Sequence, residues 1–408
     1  MLPSWMICCL LAATTFPLLK AAANKQTSVR RQLNLNMASQ ETSVSREYFY
    51  AGGRFVDDGS GKDQHIFSGQ MYVEKLSPDV TSPKPYPLVF IHGQAQTGTV
   101  SRSTKMGVLC ADRCKNWLNK PDGSPGWASY FTSKGYTVYI VDQTSRGRSA
   151  WKPSNGTMTT YSAEFIQQRF TAPAKYKLWP QAALHTQWPG EGVMGDRYFD
   201  AYYASNTQFL ATATKQQSDV KAAGISLLDK IGKPVILVSH SQGGPMSWLL
   251  ADARPELTRA IVSLEPAGPA FGDMVFSNNS ARAFGLTDIP ITYDPPVNSP
   301  QIDLVKQTIA APNKGTVPCI IQADEPAPRQ LVNLKNIPVL LVTAEASYHA
   351  VYDWCTVKFL QQAGVGVTHF ELGSMGIRGN GHLFFLEKNS DEVANVVEQW
   401  MNDVPEGC

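Results

Sequence analysis

Six short runs of unbroken apolar residues constrain this chain most: "PLVFI", "YTVYIVD", "PVILVS", "AIVSLE", "IPVLLVTA" and "VTHFEL". A strand with one wet face alternates polar and apolar residues. A strand without that alternation is buried on both faces, as in a parallel sheet covered by helices. Helical spacing fills the gaps at Trp127–Ser133, 208–231, Gly243–Ala253, 350–363 and 390–401. The order predicts a doubly wound α/β fold, a mostly parallel sheet with helices on both faces. Ahead of it, "REYFYAGGRFVDDGSGKDQHIFSGQMYVEKL" predicts antiparallel strands joined by a turn near Gly59 and Gly61, at one edge of the same sheet.

A hydrophobic fraction of 43% and a charged fraction of 17% over 408 residues describe a folded chain with a large core. Net charge is +2 with lysines and arginines scattered, which argues against a nucleic-acid partner. Residues 1–23, apolar from Trp5 to Leu19 and then small at Ala21 to Ala23, read as a signal peptide. That run is short for a membrane span, so stable membrane insertion is not expected. Residues 24–43, with Arg30-Arg31, read as a disordered or pro-segment, leaving 44–408 as the folded domain. Secretion would leave Cys110, Cys114, Cys319, Cys355 and Cys408. A local bridge between the first two and a second among the other three are expected. Cys110 and Cys114 lack a neighbouring histidine, which weighs against a metal. Sequons at Asn155 and Asn278 suit a glycosylated surface.

Two stretches break the β-α rhythm. Residues 151–206 carry no strand signal but many aromatics, among them Tyr161, Phe165, Phe170, Trp188 and Tyr202. Their place after the second parallel strand sets them over the carboxyl ends of the sheet, where open α/β sheets bind ligands, so they are expected to form a cap. Residues 269–330 are rich in Pro and Asn and form either a long loop or a second cap element.

The chemistry centres on "PVILVSHSQGGPMSWLLADA". A serine hydroxyl needs a base to become a nucleophile. A tight strand-to-helix turn can present it, with small residues two before and two after the apex, usually as G-x-S-x-G. In Ser239-His240-Ser241-Gln242-Gly243 the apex is Ser241, with Ser239 in place of the first glycine. The plainer alternative is a serine capping a helix behind a glycine turn. A tetrahedral oxyanion would need two N–H donors: Gln242 after the nucleophile, and Gln94 in "PLVFIHGQAQTG", where Gly93 would let the backbone turn. His92 reads as a structural turn residue. The base should follow the last strand, which selects His382 in "GIRGNGHLFFLEKN". His369 should pack inside a strand, His349 starts a helix and His65 lies in the leading strands, while His185 and Trp188 in the cap are candidate substrate contacts. The acid is Glu265 or Glu345, both correctly ordered between serine and histidine. Asp142 and Arg146 in "DQTSRGRSA" are expected to lock a turn through charge-assisted hydrogen bonds.

The set "FIHGQAQTG", "PDGSPGWASYF", "GYTVYIVDQTSRGRSA", "TQWPG", "SHSQGG", "VSLEPAG" and "GIRGNGHLFF" resembles the bacterial esterase 713 type of serine esterases in the α/β-hydrolase superfamily, over most of residues 87–401. The resemblance implies a Ser, Glu, His triad, which falls on Ser241, Glu265 and His382, and it alone favours Glu265 over Glu345. It also implies a cap after the second parallel strand. This chain departs from the type at Gln94-Ala95, where the bacterial enzymes have two adjacent cysteines, and by an insertion near 99–119. The function expected is hydrolysis of small carboxylic esters or lactones, without cofactor or metal. Oligomerisation is left open. A fold relative that only binds a ligand, and a triad enzyme cleaving amide or C–C bonds, are the alternatives. If the base titrates normally, the rate should rise through pH ~6–7.

Overall fold

The computed structural model describes residues 43–98 and 116–405. Eight strands make one sheet: β1 (Val44–Asp57), β2 (His65–Pro78), β3 (Leu88–Ile91), β4 (Val138–Asp142), β5 (Val235–His240), β6 (Thr258–Leu264), β7 (Val339–Thr343) and β8 (Val367–Glu371). Their spatial order is β1-β2-β4-β3-β5-β6-β7-β8. From β3 to β8 neighbouring strands run parallel, and β2 pairs antiparallel with both β1 and β4. Each unbroken apolar run is a strand, and the leading segment is the edge hairpin that was expected.

Burial explains the missing alternation. Every residue of β3, β4, β5, β6 and β7 is buried. Successive side chains still point to opposite faces, so Val89 and Ile91 join one apolar layer while Leu88 and Phe90 join the other. The first layer is completed by helices α2 (Ala213–Ile231), α3 (Gly243–Ala253) and α4 (Asp353–Gln362), through Val220, Trp248 and Phe359. Helices α1 (Trp127–Ser133) and α5 (Ser390–Asp403) cover the other face through Phe131, Val397 and Met401. There Phe90 packs between Trp117 and Phe131, with ring centroids 4.9 and 6.0 Å away. Truncating such a ring to alanine typically costs about 3–5 kcal/mol.

Both irregular stretches lie over the carboxyl ends of the strands. The first is built from short turns of helix at Ala163–Ile166, Pro173–Tyr176 and Arg197–Tyr203, with a π-turn at Gln167–Thr171. It does contain a strand, contrary to the expectation. Met158–Thr159 pairs with Phe209–Leu210 and closes the base of the insertion. Two residues are too few to show a period in sequence. The second insertion has its own two-stranded ribbon, Lys306–Ile309 with Cys319–Gln322. A disulfide from Cys319 to Cys355 staples that ribbon to α4. It is the second bridge expected, while Cys110, Cys114 and Cys408 lie outside the described residues, as do segments 1–23 and 24–42.

The sequon at Asn155 is not a glycan site in this fold. Its side chain is buried, accepting from Ser68 and donating to Ser145. Asn278 is exposed. No helix among the described residues is long and apolar enough to cross a membrane.

Candidate active site

Three consecutive strand ends and one loop converge on a cavity of about 390 Å³. β5 turns into α3 at Ser241, whose φ of 53° lies in the left-handed region that non-glycine residues avoid. The turn is held by Ser241 N–H donating to Leu264 O at 3.1 Å and by Ser241 O accepting from Gly244 and Ala267. The small residues around it have separate reasons. A Cβ on Gly243 would lie 2.6 Å from Ile91 O. Ser239 is fully buried, its hydroxyl 3.0 Å from that of Ser247 on α3.

At the end of β6, Glu265 also sits at positive φ, 46°. Its Oε1 accepts from Ala344 N–H at 2.8 Å and its Oε2 from Ser347 Oγ at 2.7 Å. The His382 ring lies against Oε2, with Nδ1 2.6 Å away. Burial pushes the Glu265 carboxyl up, helped by nearby Asp353 and opposed by the Ser347 and Ala344 donors. Burial, with His240 and His349 close by, holds the His382 imidazole well below its ordinary value. The histidine is therefore neutral at pH 7. With Nδ1–H donated to Glu265, the lone pair is on Nε2, where Tyr348 Oη stands 3.5 Å away. Ser241 and His382 line the same cavity. Glu345 is elsewhere: it accepts from Arg378 and from Gly379 N–H.

Gln94 and Gln242 both line the cavity, and among the described residues neither backbone N–H has an acceptor. Gly93 is required for a reason other than the one expected. The left-handed residue of this loop is Ala95, with φ 59°. Gly93 instead permits close approach, since a Cβ there would lie 2.8 Å from His240 Nδ1 and 3.1 Å from Ser241 Cβ. His92 is structural, as its position suggested. Its Nε2 accepts from Gln143 N–H, its Nδ1–H faces Gly93 O, and burial pushes it down to about 3.

The partnership expected between Asp142 and Arg146 is replaced by another. Asp142 accepts from Arg148 and from Gly98 N–H. Buried Arg146 instead donates to Gly93 O at 3.1 Å and to Gln242 Oε1 at 3.0 Å, tying together the two loops that carry Gln94 and Gln242. Its burial pushes it down to about 9. Sequence spacing could not choose between two arginines two residues apart.

The cap candidates also change. His185 Nε2 lies 2.6 Å from Glu387 Oε1, and Glu387 also accepts from Gly381 N–H and Asn380 Nδ2. His185 is thus a strut behind the His382 loop. Trp188 packs edge-on against Tyr202. Neither lines the cavity. The cap side chains that do include Tyr161, Phe165, Arg169 and Phe170, and the second insertion adds Phe276 and Arg282.

One group was not foreseen. His349 stacks on His382 with centroids 4.8 Å apart and planes 4° from parallel. Its Nδ1 is 2.8 Å from Asp353 Oδ1, and Tyr352 Oη is 3.1 Å from its Nε2. Asp353 further accepts from Thr343 Oγ1, whose oxygen takes the His369 Nε2 proton. Ligand-type atoms of Glu265, His349 and His382 lie within 4.8 Å of one another. Both Nδ1 atoms are already directed at carboxylates, so the set is an acid–histidine network before it is a cation cage.

Sheet order, the strand-to-helix turn at Ser241 and the late histidine together define an α/β-hydrolase arrangement. The chain belongs to the alpha/beta hydrolase family, whose match covers residues 88–396. It is similar to a protein of Fungal sp. (strain ATCC 74256) named probable secreted lipase phiG, 42% identical over 378 residues, or 93% of this chain and 94% of that one. A solved structure described as a novel bacterial esterase shares the fold at a TM-score of 0.56 and 20% identity, over 89% of this chain and 97% of the other.

Proposed function

We propose that this protein is a secreted serine hydrolase that cleaves carboxylic esters or lactones through an acyl-enzyme. The observation that carries the reading is the buried His382–Glu265 pair at 2.6 Å, opening onto the same cavity as the hydroxyl of the left-handed Ser241. His382 Nε2 takes the Ser241 proton as the oxygen attacks the ester carbonyl. Glu265 fixes the tautomer and stabilises the imidazolium. The oxyanion is received by the Gln94 and Gln242 amides, each worth about 2.7–4 kcal/mol of transition-state stabilisation. His382 then protonates the departing alcohol, and water attacks the acyl-serine by the same path in reverse. In a lactone the alcohol stays on the acyl chain until water releases it.

Catalytic hydrogen bonds commonly tighten only when substrate is bound. Export is supported by the signal-like residues 1–23 and by the name of the fungal relative. A panel of aryl esters, lactones and amides tests the reading. Esters or lactones should turn over, and Ser241→Ala should abolish turnover without changing the melting temperature. Undiminished turnover in that variant would remove the mechanism.

A further inference from the structure

The cavity holds a cation that the proposed mechanism does not use. Arg169 lies on the π-turn of the cap, where such turns often mark function. Its guanidinium carbon is 3.6 Å from the Phe165 ring centroid and 3.9 Å from that of Phe276. One ring comes from the cap and the other from the second insertion. Both flat faces are therefore covered, leaving the edges, which carry the N–H groups, for hydrogen bonding.

Among the described residues no carboxylate meets those edges. Nε is buried without an acceptor, and the titratable groups beside Arg169 are the phenols of Tyr348 and Tyr161, which burial keeps neutral. The other lining arginine, Arg282, and the nearby Arg146 and Arg148 are engaged. Arg146 holds two loops, Arg148 pairs with Asp142 and Glu74, and Arg282 pairs with Asp273. The remaining cavity carboxylate, Asp288, accepts from Gln217 and from Arg282 N–H. The lining holds two arginines and two aspartates, yet Arg169 is preorganised with no carboxylate among the described residues in contact, and it is close to the chemistry. Phe170, the next residue, packs on the His382 ring at 5.1 Å, and Phe276 reaches Tyr348 at 5.2 Å.

Building on the hydrolase reading, we propose that Arg169 receives a carboxylate of the substrate, so that the preferred ester is itself an acid. A planar carboxylate matches the guanidinium edge in two parallel hydrogen bonds. It would give the outer Nη edge a charged acceptor and pair the Arg169 cation directly. A neutral ester of equal length would leave both wants unmet. The carboxylate can be on the acyl chain, as in a half-ester of a dicarboxylic acid, or on the alcohol.

Two substrate pairs separate those sources. On the acyl side, 4-nitrophenyl hydrogen adipate is compared with 4-nitrophenyl heptanoate. On the alcohol side, 3-carboxyphenyl butanoate is compared with 3-acetylphenyl butanoate. The readout is the ratio of kcat/KM for acid over neutral ester in the full chain, so losses common to both cancel. In at least one pair the wild type should favour the acid roughly 10- to 100-fold. Arg169→Met should bring that ratio close to one, and Arg169→Lys should restore part of it. If both neutral esters are hydrolysed but neither ratio depends on residue 169, the carboxylate reading is overturned and the esterase reading stands. If no ester is hydrolysed and Ser241 takes no fluorophosphonate, both readings fall together.

Discussion

The two walls of the cavity are built differently. The strand-end wall carries Ser241, Glu265 and His382, and its acid and base are held by partners within the chain, while the Gln94 and Gln242 amides stay open. Glu265 alone accepts from a backbone amide, a serine and a histidine. The insertion wall is aromatic, and its one free-edged charge, Arg169, has no oxygen partner among the described residues. Internal satisfaction fixes geometry, which chemistry requires. An unfilled donor set awaits something from outside: the oxyanion at the Gln94 and Gln242 amides, and at Arg169 a group to be recognised. Changes on the first wall should therefore destroy turnover of every ester, whereas changes on the second should re-rank esters.

The largest break is Ser241→Ala. It should lower kcat/KM roughly ten-thousand-fold or more for all esters alike. Next is Glu265→Gln, expected to cost roughly a thousand- to ten-thousand-fold through loss of the correct imidazole tautomer. Glu345→Gln, tied to Arg378 and Gly379 instead, should change kcat/KM by only a few fold. The reverse result would move the acid.

The insertion wall has its own staple. The Cys319–Cys355 bridge closes a loop of 36 residues, for which chain entropy gives about 4 kcal/mol. Replacing both cysteines by alanine should lower unfolding stability by that order in urea melts, with much less effect on the Ser241 wall.

Acid affects both turnover and stability. His382 is held below its ordinary value, so kcat/KM should stay level through pH ~6–7 and fall only in more acid solution. This revises the expectation from an unperturbed histidine, because burial cannot be seen in the letters around residue 382. His92 and His240 are each pushed down to about 3. Between an unfolded value near 6.5 and about 3, each binds its proton only in the unfolded chain. Stability should therefore fall with falling pH, by up to about 1.4 kcal/mol per unit for each histidine. Glu265, raised by burial, works in the opposite sense. A melting temperature that holds constant from pH 7 to 4 would contradict the neutral, buried histidines.

What was legible in the sequence follows the range of the forces involved. Strands β3 to β7 announce themselves because burial on both faces acts residue by residue, whereas β8, an edge strand with no fully buried residue, is apolar without that burial. Helices α1 and α3 have the limits their periodicity predicts. The turn at Ser241 is local too, its crowding written into Ser239 and Gly243. Partnerships between distant segments are not written locally. Glu265 over Glu345 came from a family resemblance, since both follow a strand in the right order. The Arg146 clamp, the His349–His382 stack and the His185 strut each join segments 33 or more residues apart. Arg169 did leave a trace, an arginine among phenylalanines in "FIQQRF", but helical cation–π pairs look the same whether or not they face a cavity.

The central claim is that one serine hydroxyl is activated while its neighbours are not. Reaction with a fluorophosphonate, followed by digestion and mass spectrometry, tests this directly. The account predicts one adduct per chain, on Ser241, lost in Ser241→Ala and slowed strongly in Glu265→Gln. An adduct on another residue, or none on a folded protein, would contradict it.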